Sequence, residues 1–185
     1  MRKNFGTKPA MYPMPVLMIA AYDESGRANA MNAAWGGISE EDEISICISA
    51  EHKTTKNILA SGAFTVSMAT VDYVKECDYL GIVSGNDVED KLSVCGLHTE
   101  RAETVNAPVI KELPMALECE LRGYDEDSCR LVGRIVNVSC DESALTDGRI
   151  DPVKLRPITY DPIGHGYYAL GDRVGSAFSD GKEIK

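Results

Sequence analysis

The segment from Glu51 to Asn57 is the most informative stretch for chemistry, because basic and hydrogen-bonding side chains follow one another there. Thr55 suits an N-cap and Gly62 suits the residue just past a helix end, which predicts a short helix over 55–61. A helix N-terminus offers unpaired backbone N–H groups and partial positive charge, which together favour a phosphate. Donors would come from Thr54, Thr55 and Asn57, and positive charge from His52, Lys53 and Lys56. The alternative is an ordinary capped surface helix with solvated lysines.

A second cluster, residues 29–37, combines amide side chains, small residues, the only tryptophan and a double glycine. Its candidate binding residues are Asn29, Asn32, Ala33, Ala34 and Trp35. Small side chains let a flat ligand approach the backbone closely, and glycines permit a sharp exit from the strand. Asparagine amides can match the polar edge of a heterocycle. The alternative is a core tryptophan beside a bulged strand end.

The rest of the chain shows no motif that predicts a catalytic residue. The loop over 81–91 is polar and, on its own, ordinary. No Ser-His-Asp or paired-carboxylate arrangement is evident, and the six cysteines show neither a C-x-x-C pair nor zinc spacing, so no metal site is predicted. These cysteines are expected to be mostly buried, reduced thiols.

The composition excludes two classes of partner. The net charge is −10, which repels nucleic acid and anionic membranes. The longest apolar run, over 14–21, is far shorter than the ~20 residues that cross a bilayer, and no convincing signal peptide precedes it, so a cytoplasmic location is expected.

Short strand-like patterns dominate the chain and predict its architecture. Strands are expected over 16–21, 28–35, 44–48, 63–68, 115–124, 130–140, 157–160 and 167–170, with helices over 55–61 and 71–80. Several antiparallel runs joined by turns indicate a mainly β fold, a small antiparallel barrel with short helical insertions. Because no β-α-β-α alternation appears, a doubly wound sheet is not expected. The length of 185 residues fits a single domain.

Three motifs in this order resemble the flavin-reductase-like, FMN-binding split-barrel family, and in particular its flavoredoxin branch. They are Asn-Ala-Met-Asn-Ala-Ala-Trp over 29–35, His-Lys-Thr-Thr-Lys-Asn-Ile over 52–58, and Ser84-Gly85 with Asp90-Lys91 downstream. The similarity continues through Ala107-Pro108, Leu117-Glu118-Cys119, Val132-Gly133 and the segment 167–171. It covers about residues 14–178 and leaves 1–13 and 179–185 as extensions.

The resemblance implies a Greek-key-like split barrel that binds FMN. Asn29 and the run Asn32-Ala33-Ala34-Trp35 would line the isoalloxazine, largely through backbone contacts. Ser49 and His52 would lie near the ribityl chain or the phosphate, and Thr54, Thr55 and Asn57 would bind the phosphate, assisted by Lys53 or Lys56. Ser84, Gly85 and Lys91 would close over the cofactor. Members of this family are typically homodimers with the flavin near the subunit interface.

The function implied is an NAD(P)H-dependent flavin reductase, or a flavoredoxin-like electron-transfer flavoprotein that accepts hydride at flavin N5 and serves a redox partner protein. Either NADH or NADPH would donate the electrons, and the flavin would supply the redox chemistry. The alternative is a non-catalytic flavin-binding module, such as a sensor or storage protein. Two further residues are considered near the flavin, His165 for its position between glycines and Cys77 as a redox-active thiol.

Overall fold

The computed structural model describes residues 1–184, and the chain runs mainly as antiparallel strands joined by short turns. The strands are β1 Met14–Pro15, β2 Leu17–Tyr22, β3 Ala28–Ala33, β4 Gly36–Glu40, β5 Glu43–Cys47, β6 Ala63–Met68, β7 Thr99–Arg101, β8 Pro108–Ile110, β9 Met115–Asp125, β10 Arg130–Cys140, β11 Leu145–Thr146, β12 Arg149–Ile150, β13 Ile158–Tyr160 and β14 Tyr167–Ala169. The helices are α1 Lys53–Ser61, α2 Val74–Ile82, α3 Lys91–Val94 and α4 Pro152–Leu155, and short 3₁₀ turns lie at 71–73, 142–144 and 180–183.

One seven-stranded antiparallel sheet, in the order β3-β2-β6-β9-β10-β5-β4, forms the body of the fold. Its two edge strands, β3 and β4, are consecutive in the chain and are joined only by Ala34 and Trp35. Three residue steps span at most about 11 Å, so the sheet curls until its edges meet. The Cys47 amide donates to the Trp35 carbonyl at 2.8 Å and so extends the pairing of β4 with β5 to the link between the edges. The predicted mainly β split barrel is confirmed.

Strand β2 is buried on both faces because it separates two apolar layers. Leu17, Ile19 and Ala21 point into the interior of the curled sheet. Val16, Met18 and Ala20 pack instead in the layer that contains Cys77 and Leu80 of α2. This explains why the segment reads as a continuous apolar run rather than as an alternating one.

Helix α1 begins earlier than the sequence predicts. It starts at Lys53, with His52 as the extended N-cap residue, so Thr54 and Thr55 lie inside its first turn. Its end is as expected, since Gly62 adopts φ 71° and donates its amide to the Ile58 carbonyl at 2.8 Å. A glycine accommodates this left-handed conformation without strain.

Another expectation, the exit from the strand at the double glycine, differs from the structure. Gly36 and Gly37 do not end a strand but begin β4, where a side chain on Gly36 would lie 3.0 Å from the Ser45 carbonyl. A charged residue is also buried in β9, where Glu118 is 1% exposed. Its carboxylate accepts bonds from the Thr104 amide and hydroxyl, both at 2.7 Å, and from Asn137 at 2.9 Å. The segment around Thr104 therefore covers the second face of β9.

Within residues 1–184, no helix combines the length and the apolar character needed to span a bilayer. The terminal segments lie on the outside of the fold and leave large apolar side chains exposed. These side chains are Phe5, Met11, Val174, Phe178 and Ile184.

Candidate functional site

A continuous groove runs along β3 and the seam where the sheet closes. It consists of two connected cavities of about 520 and 370 Å³. Both are lined by Met31 of β3, by Ser49 and His52 before α1, and by Gly81 and Ile82 at the end of α2. We call the part near the start of α1 the polar end and the part near Trp35 the aromatic end.

The polar end is built around the N-terminus of α1. The first helical bond is donated by the Lys56 amide to the His52 carbonyl at 3.1 Å, so the amides of Lys53, Thr54 and Thr55 precede the helical ladder. The first turn of α1 contains no acidic residue. Unpaired amides and an uncompensated helix N-terminus attract an anion.

Close packing joins the polar end to the loop that follows α2. The Asn29 side-chain amide donates to the Thr54 hydroxyl at 2.6 Å, and both residues are buried. A methyl group on Gly85 would lie 2.4 Å from the Asn29 side-chain oxygen, so only glycine allows this approach. The Asn86 side chain also donates to the Glu51 carbonyl at 3.1 Å. The loop is therefore held across the groove.

Lys91 supports this loop from beneath. Its ammonium donates to the Leu80 and Val83 carbonyls, each at 2.8 Å, and so caps the end of α2. The residue is 3% exposed, and burial lowers the pKa of its ammonium to about 8. Lys91 lines the groove, but its three donors are directed largely to backbone carbonyls.

The aromatic end contains Trp35, two tyrosines and a carboxylate. Trp35 lines the groove and is 60% exposed, and its carbonyl accepts from the Cys47 amide. Tyr167 donates its hydroxyl to Asp78 at 2.7 Å. Tyr160 lies next to it, with ring centroids 5.9 Å apart. A planar ligand would thus meet aromatic faces here and hydrogen-bonding groups at the opposite end.

The Asn32 side chain holds α2 against β3, so its amide is not a free hydrogen-bond donor to the groove. Its amide donates to the Cys77 carbonyl at 3.1 Å. A methyl group on Gly81 would lie 2.3 Å from the Asn32 side-chain nitrogen, so α2 and β3 come together only because this position is glycine.

The cysteines differ from the expectation of mostly buried thiols. Cys77 and Cys119 are buried, and burial raises the pKa of each thiol to about 12. Cys77 is therefore a poor candidate for the redox-active thiol beside the flavin, because a thiolate would be needed. Cys47, which is exposed, lines the aromatic end instead.

The structure brings nearly all of the sequence-predicted site residues to one groove. Asn29, Lys53, Thr54, Ser84, Gly85 and Lys91 line the polar end, Asn32, Ala33, Ala34 and Trp35 line the aromatic end, and Ser49 and His52 line both. Thr55 and Asn57 are buried outside it, and Asn57 borders a separate cavity next to Asp23. The Thr55 hydroxyl and the Asn57 side-chain nitrogen have no hydrogen-bond partner among residues 1–184.

Several residues that line the groove were not predicted from the sequence. They are Met31, Asp78, Gly81, Ile82, Tyr160 and Tyr167. Of these, Met31 and Tyr167 belong to segments that supported the family resemblance. His165 does not line the groove, but its Nδ1 lies 2.8 Å from the Tyr160 hydroxyl.

The groove fits a flavin mononucleotide in both chemistry and size. The unpaired amides of α1 and the Lys53 ammonium suit a phosphate, while Trp35 and the small residues beside it suit a flat ring system. Ligand cavities of a few hundred Å³ are typical for molecules of this class.

A family model described as the flavin reductase like domain matches residues 10–163. The match covers most of the chain, and the chain therefore belongs to the flavin reductase-like domain family. The resemblance found in the sequence is confirmed, and the family and the fold support a flavin cofactor.

Among solved structures, flavoredoxin of Desulfovibrio vulgaris (Miyazaki F) is 38% identical, with 98% of this chain and 100% of that chain covered and a TM-score of 0.93. Flavoredoxin from Methanosarcina acetivorans is 28% identical, with both chains covered in full and a TM-score of 0.89. An FMN-binding domain of a flavin reductases-like enzyme from Shewanella baltica OS155 is 21% identical, covers 88% of each chain, and has a TM-score of 0.78. This last likeness shows the shared fold.

Among curated sequences, an uncharacterized protein of Aeropyrum pernix is 30% identical over 113 residues, which is 60% of this chain. The matched part spans 43% of the length of that protein.

Proposed function

We propose that this protein is an FMN-dependent oxidoreductase that binds the flavin along the groove, with the phosphate at the polar end and the isoalloxazine at the aromatic end. The observation that carries the proposal is the groove itself. It joins the open N-terminus of α1 to the exposed face of Trp35, in a chain of the flavin reductase-like family. The flavin would accept a hydride at N5 from NADH or NADPH and pass the electrons on.

The residues of the chain would hold and orient the cofactor. The amides at the start of α1 would bind the phosphate, with Lys53, His52 and Thr54 adding charge and hydrogen bonds. Ser49 lies where both cavities meet and would face the ribityl chain. The run from Asn32 to Trp35 would line the ring, and Ser84 and Gly85 would close the loop over the cofactor.

We also propose that the protein acts as a homodimer. Phe5 is 77% exposed, Phe178 is 96% exposed and Val174 is fully exposed, all in the terminal segments. Apolar side chains gathered in such segments favour a protein partner, and a second copy of the chain is the partner typical of this family. Light scattering during gel filtration measures the molar mass: a dimer supports this part of the proposal and a monomer contradicts it.

The first test is the visible spectrum of the purified protein. Flavin absorbance that stays with the protein through gel filtration would indicate a bound prosthetic group. Protein that elutes colourless but binds added FMN would indicate that flavin is a substrate. Failure to bind FMN in either case contradicts the proposal.

The second test separates an enzyme from a binding module. Anaerobic mixing of the FMN-loaded protein with NADH or NADPH should bleach the flavin, because nothing else in the mixture supplies a hydride. FMN binding without bleaching by either nucleotide would favour a flavin carrier that is reduced by another protein, or a non-catalytic module.

A further inference from the structure

A further cavity, larger than either part of the groove, lies beside the three-stranded sheet of β1, β13 and β14. Its volume is about 580 Å³. Its walls come from the hairpin of β11 and β12, from α4 and from the segment that follows β14. Among residues 1–184 it shares no lining residue with the groove. We call it the arginine cavity, because Arg149, Arg156 and Arg173 line it.

Three guanidinium groups surround this cavity in a protein whose net charge is −10. They come from separate places, since Arg149 belongs to β12, Arg156 follows α4 and Arg173 follows β14. Like charges repel one another, so an anion placed between them is attracted. A planar guanidinium also matches the oxygens of a phosphate with paired hydrogen bonds. The cavity is therefore suited to a phosphorylated ligand.

Much of the donor capacity of these arginines is available. Arg156 pairs with Asp72 through Nη1, at 2.8 Å, which leaves Nε and Nη2 without a partner among residues 1–184. Arg173 donates from Nε and Nη2 to the segment that follows it, which leaves Nη1. Arg149 is exposed, and its guanidinium makes no hydrogen bond or ion pair within the described chain. Arg149 thus offers its full set of N–H donors.

Two carboxylates also line the cavity, and they differ in their bonding. Asp151 accepts from the Thr146 hydroxyl at 2.6 Å and from the Val153 amide at 2.9 Å, so it fastens α4 to the hairpin. The Asp172 carboxylate makes no such bond within residues 1–184. Its negative charge opposes an anion in the cavity, and its removal should therefore strengthen binding.

The cavity has more space than a phosphate ion fills, and part of its wall is apolar. Val71, Ile150 and Val153 contribute to this wall. Cavities of several hundred Å³ with apolar walls and a few polar groups are typical of sites for organic ligands. The matching ligand is an organic phosphate, with its ring system on the apolar wall and its phosphates on the guanidinium groups.

Strand β14 links the arginine cavity to the aromatic end of the groove. Tyr167 lines the groove, and Ala169, two residues further along the strand, lines the cavity. Alternate residues of a strand share a face and lie about 7 Å apart. A ligand that carries a ring at each end of a diphosphate can therefore reach both places along one face of β14.

We propose that the arginine cavity binds the adenosine half of the nicotinamide nucleotide, and that Arg149 binds the additional phosphate that distinguishes NADPH from NADH. The inference rests on the proposed function, in which such a nucleotide reduces the flavin at the aromatic end. Arg156 and Arg173, which have fewer donors available, would bind the diphosphate that both nucleotides contain. The protein should therefore prefer NADPH.

Adenosine 2′,5′-bisphosphate tests the cavity without redox chemistry. It contains the adenosine and the additional phosphate of NADPH but no nicotinamide. Calorimetric titration is made on the FMN-loaded protein, so that the flavin phosphate already occupies the polar end. We expect the bisphosphate to bind about tenfold more tightly than AMP, because AMP lacks the phosphate assigned to Arg149.

Two arginine variants separate a bound phosphate from a general effect of charge. Arg149→Met should weaken bisphosphate binding about tenfold and change AMP binding by less than about twofold. Arg101→Met is the matched control, because Arg101 is an exposed arginine of β7 that does not line the cavity. It makes the same change in net charge and should leave both affinities within about twofold.

Two aspartate variants test the opposite sign. Asp172→Asn removes the carboxylate that opposes an anion and should strengthen bisphosphate binding about two- to threefold. Asp127→Asn is the control, since Asp127 is exposed in the turn between β9 and β10 and does not line the cavity. It should change the affinity by less than the Asp172 variant does.

The oxidised nucleotides extend the test to the whole ligand without turnover. NADP+ should displace the bisphosphate from the oxidised holoprotein and bind about tenfold more tightly than NAD+. Arg149→Met should bring the two affinities within about twofold of each other.

The outcomes separate this inference from the proposed function. No binding of the bisphosphate, or binding that Arg149→Met leaves unchanged, overturns the arginine cavity as its site. Equal affinities of wild type for NADP+ and NAD+ overturn the role of Arg149, and a bisphosphate that NADP+ does not displace overturns the assignment to the nicotinamide nucleotide. Failure to bind FMN contradicts the proposed function instead. The bisphosphate titration is then made on the FMN-free protein, where a loss in Arg149→Met still supports the cavity as a phosphate site.

Discussion

The two ends of the groove are assembled in different ways. The polar end comes mostly from two continuous segments, residues 49–54, whose backbone turns directly into α1, and residues 80–86, which end α2 and begin the following loop. The aromatic end joins Trp35, Asp78, Tyr160 and Tyr167, which belong to four separate parts of the chain. A local motif can therefore reveal an anion site, whereas a ring-binding wall depends on how the sheet closes and where α2 and β13 pack.

The largest effect is expected from Lys91, which supports the loop beside both ends. Lys91→Met leaves the Leu80 and Val83 carbonyls without their donor, and each unsatisfied buried group costs about 1–3 kcal/mol. We expect the free energy of unfolding of the FMN-free protein, measured with urea, to fall by about 3 kcal/mol. Lys75→Met, on an exposed position of α2, is the matched control and should change it by less than about 0.5 kcal/mol.

The stability difference between wild type and Lys91→Met should also depend on pH, and the lowered pKa of Lys91 fixes its sign. The pKa of Lys91 is lowered to about 8 in the folded protein, against 10.5 ordinarily. Between these values the unfolded chain binds a proton that the folded chain does not, so the stability contributed by Lys91 rises with pH across this window. The difference between wild type and Lys91→Met should widen from pH 8 to 10. A variant that binds FMN weakly but unfolds like wild type would show that Lys91 serves the cofactor instead.

The second-largest effect is expected at the polar end. Riboflavin lacks the phosphate, so comparing its affinity with that of FMN isolates the contacts to the phosphate. Lys53→Pro removes one amide donor together with the ammonium. The start of α1 tolerates a proline at position 53, because proline is common at the first position of a helix. His52 also has the extended backbone, φ −63° and ψ 137°, that precedes proline. Lys53→Met removes the ammonium alone.

We expect Lys53→Pro to weaken FMN binding roughly ten- to hundredfold and Lys53→Met by about threefold, as measured by fluorescence titration. Riboflavin affinity should stay within about twofold for both. Equal losses for the two ligands would mean that the phosphate does not bind at the start of α1.

A substitution at the aromatic end should weaken the binding of FMN and of riboflavin equally, in contrast to one at the polar end. Trp35→Ala removes an aromatic face that both ligands would contact, worth roughly three- to tenfold in affinity. FMN and riboflavin should lose the same factor, because the ring system is common to them. Ile38→Ala is the control, since Ile38 is similarly exposed on β4 but does not line the groove. A loss confined to FMN would place the ring elsewhere.

The contrast between the two ends also explains how far the sequence could be read. The strands Ala63–Met68 and Arg130–Cys140 and the hairpin of β2 with β3 follow from local alternation and turn residues, and all three are confirmed. Tyr160 could not be placed, because it reaches the groove only when β13 pairs with β1 and β14 in a separate three-stranded sheet. The burial of Glu118 could not be predicted either, since its partners Thr104 and Asn137 come from other elements.

The smallest predicted effect tests whether Thr55, a residue of the sequence motif, contacts the phosphate through its hydroxyl. Thr55 belongs to the local signature of the polar end, yet its hydroxyl is buried outside the groove and lacks a partner among residues 1–184. Burying an unpaired hydroxyl is unfavourable, so Thr55→Val, which keeps the shape, should raise the free energy of unfolding of the FMN-free protein by about 1 kcal/mol.

FMN affinity of Thr55→Val should stay within about twofold of wild type, because the Thr55 amide, retained in valine, is the group that precedes the helical ladder. A selective loss of FMN over riboflavin would instead show that the hydroxyl binds the phosphate, as the sequence motif suggests. The lone hydroxyl would then be the part of the polar end that only a bound phosphate satisfies, and the phosphate would have to lie deeper in the first turn of α1 than the groove indicates.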